Sequence, residues 1–161
     1  MASLLNDFSL EQLSDTRTET SVLAYIMHDT LILSDDRYIL SADDFHIMTH
    51  KIAFSLIYNH AEAEGVKSCT PADVLGWFNQ IHSPYIEDFN ALVPVLSMEK
   101  EYSKEIFEGD YKYLKKLSLM RELKRNGFDI SDFFSKNNEN LGDKMIDSTF
   151  SQYTVESILN H

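Results

Sequence analysis

Residues 70–78 read "TPADVLGWF", and this stretch decides the fold class. Thr70 suits a helix N-cap, because its hydroxyl can accept a hydrogen bond from a free N–H of the first turn. Pro71 falls at N1, where a missing N–H costs nothing and a fixed φ is already helical. Asp73 at N3 places a negative charge at the positive end of the helix dipole. Val74, Leu75, Trp77 and Phe78 then supply apolar side chains to be buried as core, not a ligand-stacking platform. Such a start, in a chain with only 5 Gly and 3 Pro in 161 residues, favours helices over a turn-rich β fold.

Working outward, similar signals recur on both sides. Upstream, Ser41 and Asp44 form an S-x-x-D capping pattern. It predicts a helix from Asp44 or Ile47 to Glu64, with Met48, Ile52, Leu56 and Ile57 on its buried side. Gly65 suits the left-handed position after its end. Earlier still, Val22, Leu23, Ile26 and Met27 recur at helical spacing from Thr20, with Ser21 and His28 off that face. Downstream, Ser83 before Pro84 opens another helix, expected to end near Pro94. A long helix is expected from Ser97 or Ser103 to Asn126, its stripe made by Tyr113, Leu114, Leu117, Met120 and Leu123. "NGFD" at 126–129 is a turn signal, and "ISDFFSK" reads as a short helix.

Residues 135–153 are rich in Asn, Ser, Gly and Asp, a linker composition. Thr154 then caps a last helix start, with Glu156 in its first turn and Ile158 and Leu159 opening an apolar face. No segment alternates convincingly as a strand, and no internal repeat is visible. The expected fold is therefore all-α, with six to eight helices. It divides into an N-terminal arm (1–18), a small helical bundle (19–102), a helical hairpin arm (103–134) and a linker with the start of a linker helix (135–161).

Charge and composition narrow the function classes. The single Cys69 leaves no disulfide framework. No apolar run approaches the roughly 18 residues of a membrane span, and the N-terminus lacks the basic residues of a secretory signal. The chain is accordingly read as soluble and cytoplasmic. Its net charge of −12 disfavours non-specific binding to a phosphate backbone. Residues 112–125 are the exception, with Lys112, Lys115, Lys116, Arg121, Lys124 and Arg125 against Glu122 alone. This run reads as the solvated face of an amphipathic helix, or as a contact for an acidic neighbour, in preference to a nucleic-acid surface.

Catalytic motifs are missing. The sequence has no G-x-x-x-x-G-K-[ST] or G-x-G-x-x-G loop, no G-x-S-x-G elbow and no H-E-x-x-H. His46 and His50 sit at i and i+4 with Asp43 and Asp44 nearby, the spacing of a two-histidine metal site. A metal needs a third ligand, and none is implied; an ordinary capped helix start is the simpler reading. Asp35–Asp36 and Asp43–Asp44 read as turn and cap residues. No catalytic, cofactor-binding or metal-ligating residue is assigned.

Several of these segments together resemble the N-terminal domain of DnaB-like replicative DNA helicases. "ETSVLAYIMHD" (19–29) resembles that family's opening helix, and "ADDFHIMTHKIAFSLIYNHAEAEG" (42–65) its second signature, with His50 five residues after Phe45. "TPADVLGWF" is similar to the segment that follows. "YKYLKKLSLMREL" (111–123) resembles the family's Tyr…Arg helix, through Tyr111 and Arg121. Ala24 stands where the family usually has Gly, and 86–107 fits poorly, as in a divergent member of the kind carried by a bacteriophage.

The resemblance implies a non-catalytic collar domain. Hairpins from two subunits would pair, three such dimers would form a hexameric collar, and the bundle would receive the primase or a helicase loader. ATP and Mg would belong to a motor domain absent from this chain, and "TVESILNH" would be the first turns of a linker helix leading to it. The alternative is a free-standing helical adaptor or inhibitor that binds a helicase or primase.

The apolar stripe argues for an interface without the family. A two-helix arm has few neighbours to cover it, and large exposed apolar patches mark association sites. The candidate oligomer interface is Tyr113, Leu114, Leu117, Met120, Arg121, Leu123, Phe128, Ile130, Phe133 and Phe134. It would be isologous and two-fold, and Leu117→Asp would dissociate it while sparing helicity.

Overall fold

A computed structural model describes residues 9–98, 102–130, 133, 150 and 152–160. The fold is all-α. Among the described residues there is no strand, and the α-helices whose bounds are described are α1 (Thr16–His28), α2 (Met48–Glu64), α3 (Pro71–Gln80), α4 (Ile86–Leu96), α5 (Lys104–Arg125) and α6 (Val155–Leu159). Single-turn 3₁₀ segments cover Glu11–Leu13 and Ala42–Asp44, and a longer one covers Thr30–Ser34.

Most helix boundaries follow from local chemistry. At α3 the capping box closes as its sequence requires. The Asp73 N–H donates to Thr70 Oγ1 at 3.1 Å, and the Thr70 N–H donates to Asp73 Oδ2 at 2.9 Å. Gly65 ends α2 with φ of 65°, a conformation that costs glycine nothing. Thr154 Oγ1 likewise accepts from the Ser157 N–H at 3.1 Å and starts α6.

Two boundaries differ from the sequence expectation. The Ser41–Asp44 capping pair closes the 3₁₀ turn Ala42–Asp44, and α2 begins only at Met48. Met48 is consequently exposed and Ile52 half-buried, while Thr49, His50, Ala53, Phe54, Leu56 and Ile57 form the buried face. Helix α4 runs through Pro94 to Leu96 instead of ending before it. Pro94 lies in the last turn, and the chain beyond it stays helical long enough for the Ser97 N–H to reach the Val93 carbonyl at 2.9 Å.

The chain forms two compact units, residues 16–111 and residues 1–15 with 112–161. The first is a bundle in which α2 packs against α1, α3 and α4. Its core includes Val22, Leu23, Ile26, Phe45, Phe54, Ile57, Val74, Phe78 and Phe89. Phe78 and Phe89 stack at 4.6 Å, joining α3 to α4. The N-terminal end of α5 is held by aromatic contact, Phe107 stacking on Tyr25 at 4.5 Å. Tyr38 reinforces that end through a hydroxyl donated to Glu108.

The second unit gathers the rest of α5 with both chain ends. Leu13, Leu117, Met120, Ile130, Phe133, Phe150 and Ile158 form one buried cluster, with Tyr113, Leu119, Leu123 and Tyr153 packed on its edge. Fully burying each of the aliphatic and aromatic members is worth roughly 1.5–3 kcal/mol. The 1–18 segment is therefore not a separate arm throughout, because Leu13 belongs to this core and α1 has already begun at Thr16.

Candidate assembly surface and its supporting contacts

The C-terminal end of α5 is built as a Schellman motif. The Gly127 N–H donates to the Lys124 carbonyl and the Phe128 N–H to the Leu123 carbonyl, both at 3.0 Å. Gly127 has φ of 82°, the left-handed residue that this motif requires, and Phe128 and Leu123 occupy the two positions that usually make its apolar contact. The "NGFD" turn thus presents Phe128, 60% exposed, at the tip of the helix.

The apolar stripe is used differently from the sequence expectation. Leu114, Leu117, Met120, Ile130 and Phe133 are buried within their own chain. The neighbours that a two-helix arm was expected to lack come from its distant ends: Leu13 on one side, Phe150 and Ile158 on the other. Local periodicity cannot reveal a partner more than a hundred positions away. What remains at the surface of the proposed interface is Phe128, with Tyr113 and Leu123 half-buried. Leu119, which the sequence reading left out, is half-buried beside them. Phe134 lies outside the described residues, as does most of the "ISDFFSK" segment.

Two of the six cations in 112–125 are also internal. Arg121 is buried and donates from Nη1 to the Leu13 carbonyl at 2.8 Å. Lys116 donates from Nζ to the Phe150 carbonyl at 3.0 Å and lies 4.4 Å from the centre of the Phe150 ring. Burial pushes its ammonium below the ordinary lysine range. Both cations hold the chain ends onto α5. Lys112 and Arg125 are exposed, Lys115 and Lys124 half-buried. Tyr113 has its hydroxyl pushed up by burial and by the charge of Asp15.

In the bundle, the backbone of His46 and the ring of His50, spaced like a metal pair but read from the sequence as part of an ordinary capped helix start, meet one carboxylate. Glu19 is fully buried in α1. Its Oε2 accepts from the His46 backbone N–H at 3.0 Å and its Oε1 from that of Ile47 at 3.3 Å. Oε1 also meets His50 Nδ1 at 2.8 Å, with both side chains 1% exposed. A carboxylate can only accept, so Nδ1 is the ring nitrogen that donates to it. The arrangement satisfies backbone N–H groups at the start of α2, which otherwise have no intrahelical partner. No group of three His, Cys, Asp or Glu able to hold a metal occurs among the described residues. Spacing from His46 and the resemblance both point to His50; Glu19 comes to notice only as the first residue of the 19–29 segment that carries the resemblance.

Trp77 is half-buried, stacked 3.9 Å from His60, whose Nδ1 meets Glu64 at 3.0 Å. Phe78 is core. Among the described residues no helix is long and apolar enough to cross a membrane.

The chain is 27% identical over 159 residues to the SPbeta prophage-derived uncharacterized protein YorI of Bacillus subtilis (strain 168). The similarity covers 91% of this chain and 31% of that protein, so the chain spans about a third of its relative's length. No family model and no solved structure matches it.

Proposed function

We propose that this chain is the non-catalytic collar of a phage-type replicative DNA helicase, a module for assembly and for binding a primase or helicase loader. The observation that carries the proposal is the contact between Glu19 and His50. Each is a residue through which a separate segment resembles the DnaB-like N-terminal domain. Joined at 2.8 Å inside the bundle, they act as one structural device, which favours a shared ancestry of the two segments over two coincidences. The similarity to a longer, prophage-derived protein supports the same reading.

Self-association would use the tip of α5. Phe128 and Leu123 form the apolar part of the surface at the tip, with Leu119 about one turn and Tyr113 nearly three turns back along α5. Lys124 and Arg125 flank it and would face acidic side chains of a second copy. Leu114, Leu117 and Met120 support this surface from beneath. ATP and Mg have no part in this chain's own role.

Titration calorimetry against the C-terminal domain of the primase from the same replicon tests the partner. Saturable binding is expected, together with no ATP turnover by the pure chain. Turnover that copurifies through every step would remove the non-catalytic assignment, and absence of binding would remove the primase.

A further inference from the structure

The bundle carries a second, separate feature. A cavity of about 600 Å³ opens between α1, the start of α3 and the end of α4. Ala24 and Tyr102 line it and also line a small adjoining hollow that continues past Ser21 to Ile106. Together they make a trough along one face of α1, from Ser21 to His28. That length is about 10 Å, or two helical turns. Its floor is apolar and closed, with Ala24, Met27 and Leu96 all buried. One wall is formed by Tyr102, which stacks flat on His28 at 4.0 Å and 4°. Ile106, which lines the smaller hollow, is exposed and adds apolar surface there.

The charge carried by the described lining residues is acidic. Asp73 lines it. Asp110 accepts from the hydroxyl of Ser21 at 2.6 Å, and the Tyr25 hydroxyl is pushed up first by burial and then by the negative charge of Asp29. No Lys or Arg is among the described lining residues. Residues 16–111 as a whole carry 16 acidic side chains against six Lys and Arg.

We propose that this trough receives a basic amphipathic helix of a partner protein. Its apolar side chains would lie on Ala24, Met27 and Leu96, and its cations would face Asp29, Asp73 and Asp110. A straight apolar floor two turns long, walled by side chains, fits the helix-in-groove mode of recognition. The acidic rim selects the charge of the occupant and speeds its approach. The inference rests on the trough alone and survives if the collar assignment fails.

The test uses a synthetic peptide of about five helical turns, with Leu on one face and Lys on the other, and a twin carrying Glu for Lys. Binding is followed by fluorescence anisotropy and by the methyl NMR signals of the methionines. The Lys peptide is expected to bind, to shift Met27 and to leave Met120 unmoved. Ile106→Lys, at an exposed position of α5, and Ser97→Lys, at the exposed turn that ends α4, should weaken it about tenfold or more, as a repulsive charge placed at a docking site does. Ile81→Lys, exposed elsewhere on the bundle, should leave it unchanged. Equal weakening by all three variants would reduce the effect to general charge and overturn the proposal. Binding of the Glu twin, no binding of either peptide, or a change in oligomeric state caused by Ile106→Lys alone would overturn it too; the last would make a second copy the occupant.

Discussion

Glu19 of α1 and His50 of α2 meet at 2.8 Å with both side chains out of solvent. The carboxylate also holds the His46 and Ile47 backbone N–H groups, so one side chain both pairs a histidine and fixes the entry of α2. Removing it would strand a buried imidazole and two amide donors. Glu19→Ala is expected to destabilise the bundle by about 3–5 kcal/mol, the range for breaking a buried pair. Glu19→Gln should cost less, since an amide oxygen still accepts. Urea denaturation measures both. A double-mutant cycle with His50→Ala should show a coupling of about 1–3 kcal/mol.

The fate of Leu117 separates core from interface. With the side chain 1% exposed inside the arm cluster, Leu117→Asp is expected to cost more than about 4 kcal/mol, as burial of an unpaired charge does. Circular dichroism should show loss of helix, and dimers would disappear only because the arm unfolds. Phe128→Asp, at an exposed position, should change stability by no more than about 0.5 kcal/mol.

Gly127 closes α5 with φ of 82° and nothing within 4 Å of the place a Cβ would occupy. The penalty of Gly127→Ala is then purely that of the left-handed backbone, about 1–2 kcal/mol. Thermal denaturation should register it without a change in the cooperativity of the transition.

Cys69 gives a pH-dependent readout. Burial, aided by the charge of Asp73, pushes its thiol from 9.0 up to about 12. The folded chain therefore holds this proton where the unfolded chain has released it. Stability from this group is intact below about pH 9 and is lost as pH rises toward about 12. At pH 8 the thiolate fraction should be about 1,000-fold lower than in the unfolded chain. Reaction with a disulfide reagent should be correspondingly slow in buffer and fast in denaturant.

Features set within a few residues were legible in the sequence. The Thr70–Asp73 box, the stops at Gly65 and Gly127 and the cap at Thr154 each depend on neighbours no more than five positions away. Pro94 misled because its restriction on the preceding residue is a preference, which the last turn of α4 overrides. Contacts fixed by the tertiary fold were not legible. Leu13 lies 108 positions from Arg121, and Phe150 lies 34 from Lys116. Neither could be inferred from periodicity, so a stripe that α5 buries within its own chain read as one awaiting a second copy. His50 was visible by its spacing from His46, but its partner across 31 positions was not.

The most direct test of the collar assignment is light scattering coupled to size exclusion, run over a hundredfold range of concentration on the native chain and on Phe128→Asp. The native chain is predicted to elute as a dimer or as a hexamer of three dimers, and Phe128→Asp as a folded monomer. A native chain that stays monomeric throughout would contradict an assembly role for this protein.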